Sequence, residues 1–374
     1  MRKFALLVAG VALSVGTLAA CVGGPPPPPP TDPHDVLVVG DSVSFSFGCV
    51  LGDTLPGVST NDWNCPARSG YTTKNMAIGA CTIWPSQAQL YNGGTAQTPN
   101  CDTVAAGPDN LTWEQAADYY TPKVVVIDTS GWEVVDRWVS DFSGAPDARW
   151  GDPGCSPNNV CSQAYQMAAV QYSSALYDAI NVFRSRGAKV VIASSPYFAP
   201  PEPLPDPNGA PAGLGCSYWE PYPNNPPTAT GGHCTGNATA GNGGTWRSPY
   251  PGLTYRSSRV KVDQFNDVIT LVKNQYFGSD PNVLIFPFKQ HFNGPGGAYT
   301  DYVCPPPNDR TVAPDPILHQ CVLPNLSVVN AILARAPDKG HLSTAGAFDI
   351  LQPYIEPCVK SLIPGAGGDP SACS

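Results

Sequence analysis

Four short apolar runs occur along the chain at wide intervals. Such runs are typical of strands that are buried on both faces of a sheet, and they lie at 36–39, 123–128, 188–193 and 283–286. Segments with apolar residues at helical spacing lie between or after them, which predicts helices at 113–120, 162–186, 255–277 and 344–362. Because strands alternate with helices, we predict an α/β fold built on a parallel, doubly wound sheet.

Distinctive residues follow directly after three of the predicted strands. Ser42 comes two residues after the first strand turns at Gly40, Trp132 follows the second strand, and Ser195 follows the third. Ligands of parallel α/β sheets bind beyond the carboxyl ends of the strands. We therefore expect these three residues to face the same edge of the sheet.

Ser42 is the strongest candidate for chemistry at that edge. The run Gly40-Asp41-Ser42 ends a strand abruptly, and residues 43–51 have the pattern of a helix. Backbone N–H groups at the start of a helix favour negative charge, which suits a serine nucleophile. The alternative is that Ser42 only caps this helix.

Composition narrows the class of protein. The net charge of −9 argues against a nucleic-acid partner, and the 37 Gly and 43 Pro residues predict long ordered loops around a packed core. Residues 198–254 are rich in Pro, Gly, Asn and Thr, and we interpret them as an insertion. It either lies near the site or is a surface loop without a role in function.

The N-terminus has the pattern of an export signal. Arg2 and Lys3 precede an apolar stretch that is short for a membrane span, and the stretch ends in Leu-Ala-Ala-Cys21. That tetrapeptide resembles the lipobox of bacterial lipoproteins. We therefore predict a signal peptide at 1–20, a lipid anchor at Cys21 on the bacterial cell membrane, and a Pro-rich linker at 21–34. The alternative is a plain cleaved signal peptide.

Cysteine usage supports export. Of 13 Cys, 12 remain when Cys21 is set aside, and an even number in an exported protein predicts disulfides. The order along the chain suggests the local pairs Cys49–Cys65, Cys81–Cys101, Cys155–Cys161, Cys216–Cys234, Cys304–Cys321 and Cys358–Cys373, although sequence does not fix connectivity. No Cys-x-x-Cys occurs, so we expect no metal, and no motif indicates another cofactor.

One histidine of the five stands out. His341 follows Asp338 by three residues and precedes Ser343-Thr344, where the last helix begins. A carboxylate at this spacing can accept from one imidazole nitrogen and leave the other nitrogen as a base. The alternative is that Asp338 caps the helix and His341 lies on the surface.

Together, Gly40-Asp41-Ser42 and Asp338-Lys-Gly-His341-Leu-Ser resemble the two end blocks of the SGNH/GDSL hydrolase family. The second block most resembles SGNH domains associated with bacterial acyltransferases. The resemblance spans 35–362 and leaves 363–374 as a tail. It implies a flavodoxin-like three-layer fold with long disulfide-pinned loops. It also implies that Ser42 is the nucleophile, His341 the base and then acid, and Asp338 the residue that orients His341.

The middle blocks match less well. The resemblance implies an oxyanion hole formed by the backbone N–H groups of Ser42 and Gly70. The family's Gly-x-Asn-Asp block has no Asn here, because the second strand ends in Ser-Gly-Trp132-Glu133. In having a Trp at this position, the chain resembles the acyltransferase-associated branch of the family. We expect Trp132, Glu133 and Trp219 to bind substrate.

These features predict a lipid-anchored serine esterase. Its substrate would be an acylated carbohydrate or another ester, with O-acetyl groups of a cell-envelope glycan as the leading case. The acyl group would pass through Ser42 to water. The same triad could transfer the acyl group to another sugar instead, and a non-catalytic glycan-binding lipoprotein is the second alternative. We expect a monomer.

Overall fold

The computed structural model describes residues 32–53, 65–79, 81–84, 86–89, 95–102, 109–139, 147–152, 154–197, 219–221, 232–234, 259–293, 302–309, 311–315, 318–334 and 342–373. The strands are β1 (Val36–Gly40), β2 (Thr73–Asn75), β3 (Gln87–Gln89), β4 (Thr95–Gln97), β5 (Val124–Asp128), β6 (Arg137–Trp138), β7 (Lys189–Ala193), β8 (Trp219–Pro221), β9 (Gly232–Cys234), β10 (Val283–Phe286), β11 (Tyr302–Val303), β12 (Gln320–Val322), β13 (Val328–Asn330) and β14 (Ile332–Leu333). The helices are α1 (Ser44–Val50), α2 (Trp113–Tyr120), α3 (Ser130–Glu133), α4 (Gln163–Arg184), α5 (Arg259–Val272), α6 (Phe288–Phe292) and α7 (Gln352–Leu362). Residues Lys273–Phe277 extend α5 as a π-helix, Gly346–Leu351 form a π-helix before α7, and Pro370–Cys373 form a 3₁₀ helix.

The centre of the molecule is a five-stranded sheet. Its strands lie in the order β10-β7-β5-β1-β2, and every neighbouring pair is parallel. Taken in chain order from the β2 edge, this is the order 2-1-3-4-5 of a doubly wound sheet of the flavodoxin type. The predicted α/β class and parallel sheet are confirmed.

Helices cover both faces of this sheet and produce three layers. On one face α2, α4 and α5 bury their apolar sides against alternate strand residues such as Val39 and Ile127. On the other face α1, α6 and α7 pack against the intervening residues, which include Val38 and Val126. Because both faces are covered, β1, β5, β7 and β10 consist mainly of apolar residues, which is why the sequence pattern revealed these four strands.

Local signals placed most of the elements that bear on the sheet. The run at 283–286 is β10, and the segment at 113–120 is α2, whose capping box joins Thr112 to Gln115. One strand of the sheet, β2 (Thr73–Asn75), is not among the predicted elements. This strand has the sequence Thr-Lys-Asn and therefore carries no apolar run that would predict it.

Disulfides fasten the loops and the C-terminus to the layers. Five of the six predicted pairs are confirmed, which fits an extracytoplasmic location: Cys49–Cys65, Cys81–Cys101, Cys155–Cys161, Cys304–Cys321 and Cys358–Cys373. The sixth predicted pair involves Cys216, which lies outside the described residues. The segment expected to be a tail is bound to α7 through Cys373, which is buried. None of the described helices has the length and apolarity needed to cross a membrane.

Candidate active site

The serine turn, residues Gly40–Val43, joins β1 to α1 at the carboxyl edge of the sheet. Gly40 has φ +133°, and a Cβ added there would lie 1.7 Å from the Asp128 carbonyl oxygen of the neighbouring β5. The Ser44 hydroxyl donates to that same oxygen at 2.6 Å. Only glycine fits this position, and the sharp turn places Ser42 at the edge with its side chain partly buried.

Asp41 connects the serine turn to the segment that follows β5. Its side chain is fully buried. Oδ1 accepts from the Val43 N–H at 2.8 Å, and Oδ2 accepts from the N–H groups of Gly131 and Trp132 at 2.6 and 3.0 Å. A carboxylate that accepts three backbone N–H groups is strongly held. The N–H groups of Gly131 and Trp132 therefore already have a hydrogen-bond acceptor within the protein.

Arg137 binds the carbonyl side of the same segment, α3. The guanidinium donates to the Trp132 carbonyl oxygen through Nη2 and to the hydroxyls of Ser86 and Thr98 through Nη1. It also lies over the Trp84 ring, 5.4 Å from the centroid. Arg137 is fully buried, so its charge acts inside the protein. The peptide backbone at Trp132 is therefore held by Asp41 and by Arg137.

Glu133 lies in the same buried region. Its Oε1 accepts from the Ile83 N–H at 2.6 Å. Desolvation raises the pKa of Glu133 to about 8, against the opposing effects of Arg137, the Ile83 N–H and the nearby Trp84 indole, while the Asp41 charge raises it further. The side chain is 0% exposed. This burial contradicts the expectation that Glu133 contacts substrate.

Gly70 lies at the wrong edge of the sheet for the role expected of it. It precedes β2 by three residues, and the first residue of β2, Thr73, pairs with Val36 at the start of β1. Ser42 lies beyond the other end of β1. At about 3.3 Å per residue, the length of β1 alone separates the two positions by roughly 13 Å. The expectation that Gly70 joins Ser42 in an oxyanion hole is therefore contradicted by the strand register.

Gly79 is the glycine that the register brings to this edge. After β2 the chain continues beside β1, with the Met76 N–H donating to the Val38 carbonyl and the Ile78 N–H to the Gly40 carbonyl, both at 2.8 Å. Gly79 follows directly, is exposed, and would accommodate a Cβ without a contact inside 4 Å. The sequence signal was present, because an apolar Met-Ala-Ile precedes this glycine.

The remaining predicted site residues differ in how far they can be placed. The Trp132 N–H binds Asp41 and the residue is partly exposed, while its contact with substrate stays a prediction. Trp219 lies in β8, whose backbone pairs with β9, but its side chain lies outside the described residues. Asp338, His341 and Cys21 also lie outside them.

The strand order places the serine turn at a topological switch point of the sheet. Successive connections leave β1 on one face through α1 and reach β5 on the other face through α2, so the edge between β1 and β5 is the topological switch point. No protein-family model matches the sequence, and no curated protein matches it either. The chemistry is therefore inferred from the residues at this edge: a serine on a turn held by hydrogen bonds, the exposed Gly79 and the partly exposed Trp132.

Proposed function

We propose that the protein is an extracytoplasmic serine esterase of the SGNH/GDSL type, anchored through lipid at Cys21. It removes O-acyl groups, foremost O-acetyl groups, from a carbohydrate or cell-envelope glycan. The observation that carries the proposal is the serine turn at the switch point, where Gly40 and Asp41 are both fixed by β5 and α3. A turn held this firmly supports nucleophilic catalysis better than simple helix capping, because a cap requires no such rigidity.

The reaction follows from the residues in their proposed roles. Ser42 Oγ attacks the ester carbonyl as His341 takes its proton, and Asp338 keeps the imidazole in the correct orientation. The bond to the sugar oxygen then breaks, and His341 returns the proton to that oxygen. Water attacks the acyl-Ser42 ester in the same way and releases the carboxylic acid.

Two backbone N–H groups are proposed to stabilise the oxyanion. One belongs to Ser42, and the other belongs to Gly79 in place of Gly70, since Gly79 follows the residue that pairs with Gly40. The N–H groups of Gly131 and Trp132 are not candidates, because both donate to Asp41. The Trp132 indole forms the wall that faces the sugar.

Hydrolysis of p-nitrophenyl acetate by the mature domain tests the proposal. We expect Ser42→Ala and His341→Ala to lower kcat/KM by roughly 10³-fold or more, because each removes a member of the acyl-transfer unit. Ser185→Ala is the matched control, since Ser185 is an exposed serine after α4 and should leave the rate unchanged. Equal rates in wild type and Ser42→Ala would exclude this enzyme class. Adding a glycan acceptor and analysing acylated products distinguishes hydrolysis from transfer.

A further inference from the structure

The region beneath the serine turn contains two buried carboxyl groups, Asp41 and Glu133, and one buried guanidinium, Arg137. Asp41, from the end of β1, and Glu133, from α3, lie close enough to raise each other's cost of ionisation, and the guanidinium of Arg137 in β6 acts on Glu133 in the opposite direction. The Tyr172 phenol of α4 and the Asp128 carboxyl of β5 are further titratable groups in this part of the described structure. One guanidinium offsets only one buried carboxylate at close range, so a second negative charge here is costly.

Glu133 also connects two segments that flank Ser42. Through Oε1 it holds the Ile83 N–H of the segment that continues from β2 and is fastened by the Cys81–Cys101 disulfide. Through the backbone it continues directly from Gly131 and Trp132, whose N–H groups bind Asp41. Glu133 therefore joins the Gly79 side of the crevice to the Trp132 side while its own side chain stays out of the crevice.

We propose that Glu133 is a positioning residue for the catalytic serine, acting through the Ile83 N–H and through the Asp41–Gly131–Trp132 contacts. The role rests on the proposed function, since it presupposes that Ser42 is the nucleophile. It differs from substrate binding because the carboxyl is fully buried. Glu133 sets the geometry of the turn and of the oxyanion side without touching the ester.

The charge of Glu133 affects that geometry. With its pKa raised to about 8 the carboxyl is neutral at pH 7, and Asp41 alone carries the negative charge that holds the α3 amides. Above that pH, Glu133 becomes an anion beside Asp41, and the two like charges repel each other. The contacts of Asp41 weaken, and the serine turn loosens. Activity should therefore fall on the alkaline side.

The test compares wild type, Glu133→Gln and Glu133→Leu by kcat, KM and their dependence on pH between 5.5 and 9.5, with p-nitrophenyl acetate and correction for spontaneous hydrolysis. Gln keeps the acceptor for the Ile83 N–H and reproduces the neutral side chain, whereas Leu removes both. Glu356→Gln is the matched control, because Glu356 pairs with Lys360 on α7 against the other face of the sheet.

We expect the wild type to lose about tenfold in kcat/KM between pH 7 and 9.5 with an apparent pKa near 8. Glu133→Gln should lack this alkaline limb and keep the acid limb of His341. Glu133→Leu should lower kcat by about tenfold or more at every pH with KM little changed, and Glu356→Gln should follow the wild type.

The outcomes separate the two proposals. If hydrolysis depends on Ser42 but Glu133→Gln keeps the wild-type alkaline limb, or if Glu133→Leu raises KM and leaves kcat unchanged, the positioning role is wrong and the esterase stands. If the wild type does not hydrolyse the ester, or if hydrolysis persists in Ser42→Ala, the esterase proposal fails. The positioning role then fails with it.

Discussion

Gly40 is the residue at which β1 becomes the serine turn. Its backbone combines φ +133° with an approach to the Asp128 carbonyl that leaves no room for a Cβ. The two constraints are independent, since one arises from the residue's own torsion angle and the other from a neighbouring strand. The position explains why a glycine precedes Asp41 and Ser42 in this chain.

The substitution Gly40→Ala should therefore cost more than positive φ alone. We expect a loss of at least about 3 kcal/mol in the free energy of unfolding, because strain of about 1–2 kcal/mol adds to a steric overlap. Gly187→Ala is the control, since Gly187 has φ +86° but no atom within 4 Å of an added Cβ, and it should lose only the strain. Urea denaturation measures the free energy of unfolding of both variants. Equal losses would show that the Asp128 carbonyl moves aside to accommodate the added Cβ.

Glu133 should make the folded protein less stable as the pH rises. Its pKa is raised from 4.5 to about 8 in the folded state, so between those values the folded protein keeps a proton that the unfolded chain releases. Stability from this group is complete below about pH 4.5, falls as the pH rises, and stays low above about pH 8.

Glu133→Gln should remove this dependence. We expect the variant to gain on the order of 3 kcal/mol relative to wild type between pH 5 and pH 9. Urea denaturation of both proteins at both pH values gives this difference, because the titration of groups that do not interact with Glu133 cancels between the two proteins. A wild type and variant that change in parallel would mean that Glu133 is ionised in the folded protein.

At the scale of elements, the short strand β2 decides which glycine reaches the site. β2 pairs with β1 from Val36 to Val38, and the chain then continues beside Gly40. The loop before β2, with Gly70, therefore lies at the amino edge of the sheet, and the loop after it, with Gly79, lies at the carboxyl edge. Three residues of pairing thus reverse the assignment made from the sequence.

Substitution at both glycines tests this register. Gly79→Pro removes the proposed oxyanion N–H and should lower kcat by about 10²–10³-fold. Gly79→Ala keeps the N–H and has space for its Cβ, so its kcat should stay near wild type. Gly70→Ala should reduce stability by about 1–2 kcal/mol through its φ of +90° while kcat is unchanged. A loss of kcat in Gly70→Ala without a loss in Gly79→Pro would restore the original assignment.

At the scale of the whole molecule, disulfides connect the layers to the segments outside them. Cys358–Cys373 binds the C-terminal segment to α7, and Cys155–Cys161 closes a much shorter loop before α4. Each bridge stabilises the protein mainly by restricting the unfolded chain, and the effect grows with the length of the closed loop.

Removing these two bridges separately should show that dependence. The loops span 15 and 6 residues. Cys358→Ser with Cys373→Ser should cost about 3 kcal/mol, and Cys155→Ser with Cys161→Ser about 1 kcal/mol less. Thermal and urea unfolding provide the values, and a thiol assay of the unfolded wild type should find the ten cysteines of the five described bridges oxidised. Free thiols among these ten would contradict the pairing.

The sequence by itself determined the features that a few neighbouring residues encode. Apolar runs revealed β1, β5, β7 and β10, because strands covered on both faces carry apolar residues at successive positions. The capping box of α2 was equally local, and cysteines close in sequence pair in all five described bridges. The position of Ser42 at the carboxyl edge followed from the end of β1.

Only the tertiary structure decided what surrounds Ser42. The bonds from Asp41 to Gly131 and Trp132 cross 90 and 91 positions of the chain, and no local pattern specifies such partners. The burial of Glu133, the placement of Arg137 and the register of β2 depend in the same way on which segments the sheet brings together. Local propensity fixes elements within a few residues, whereas register and burial arise from packing between distant segments.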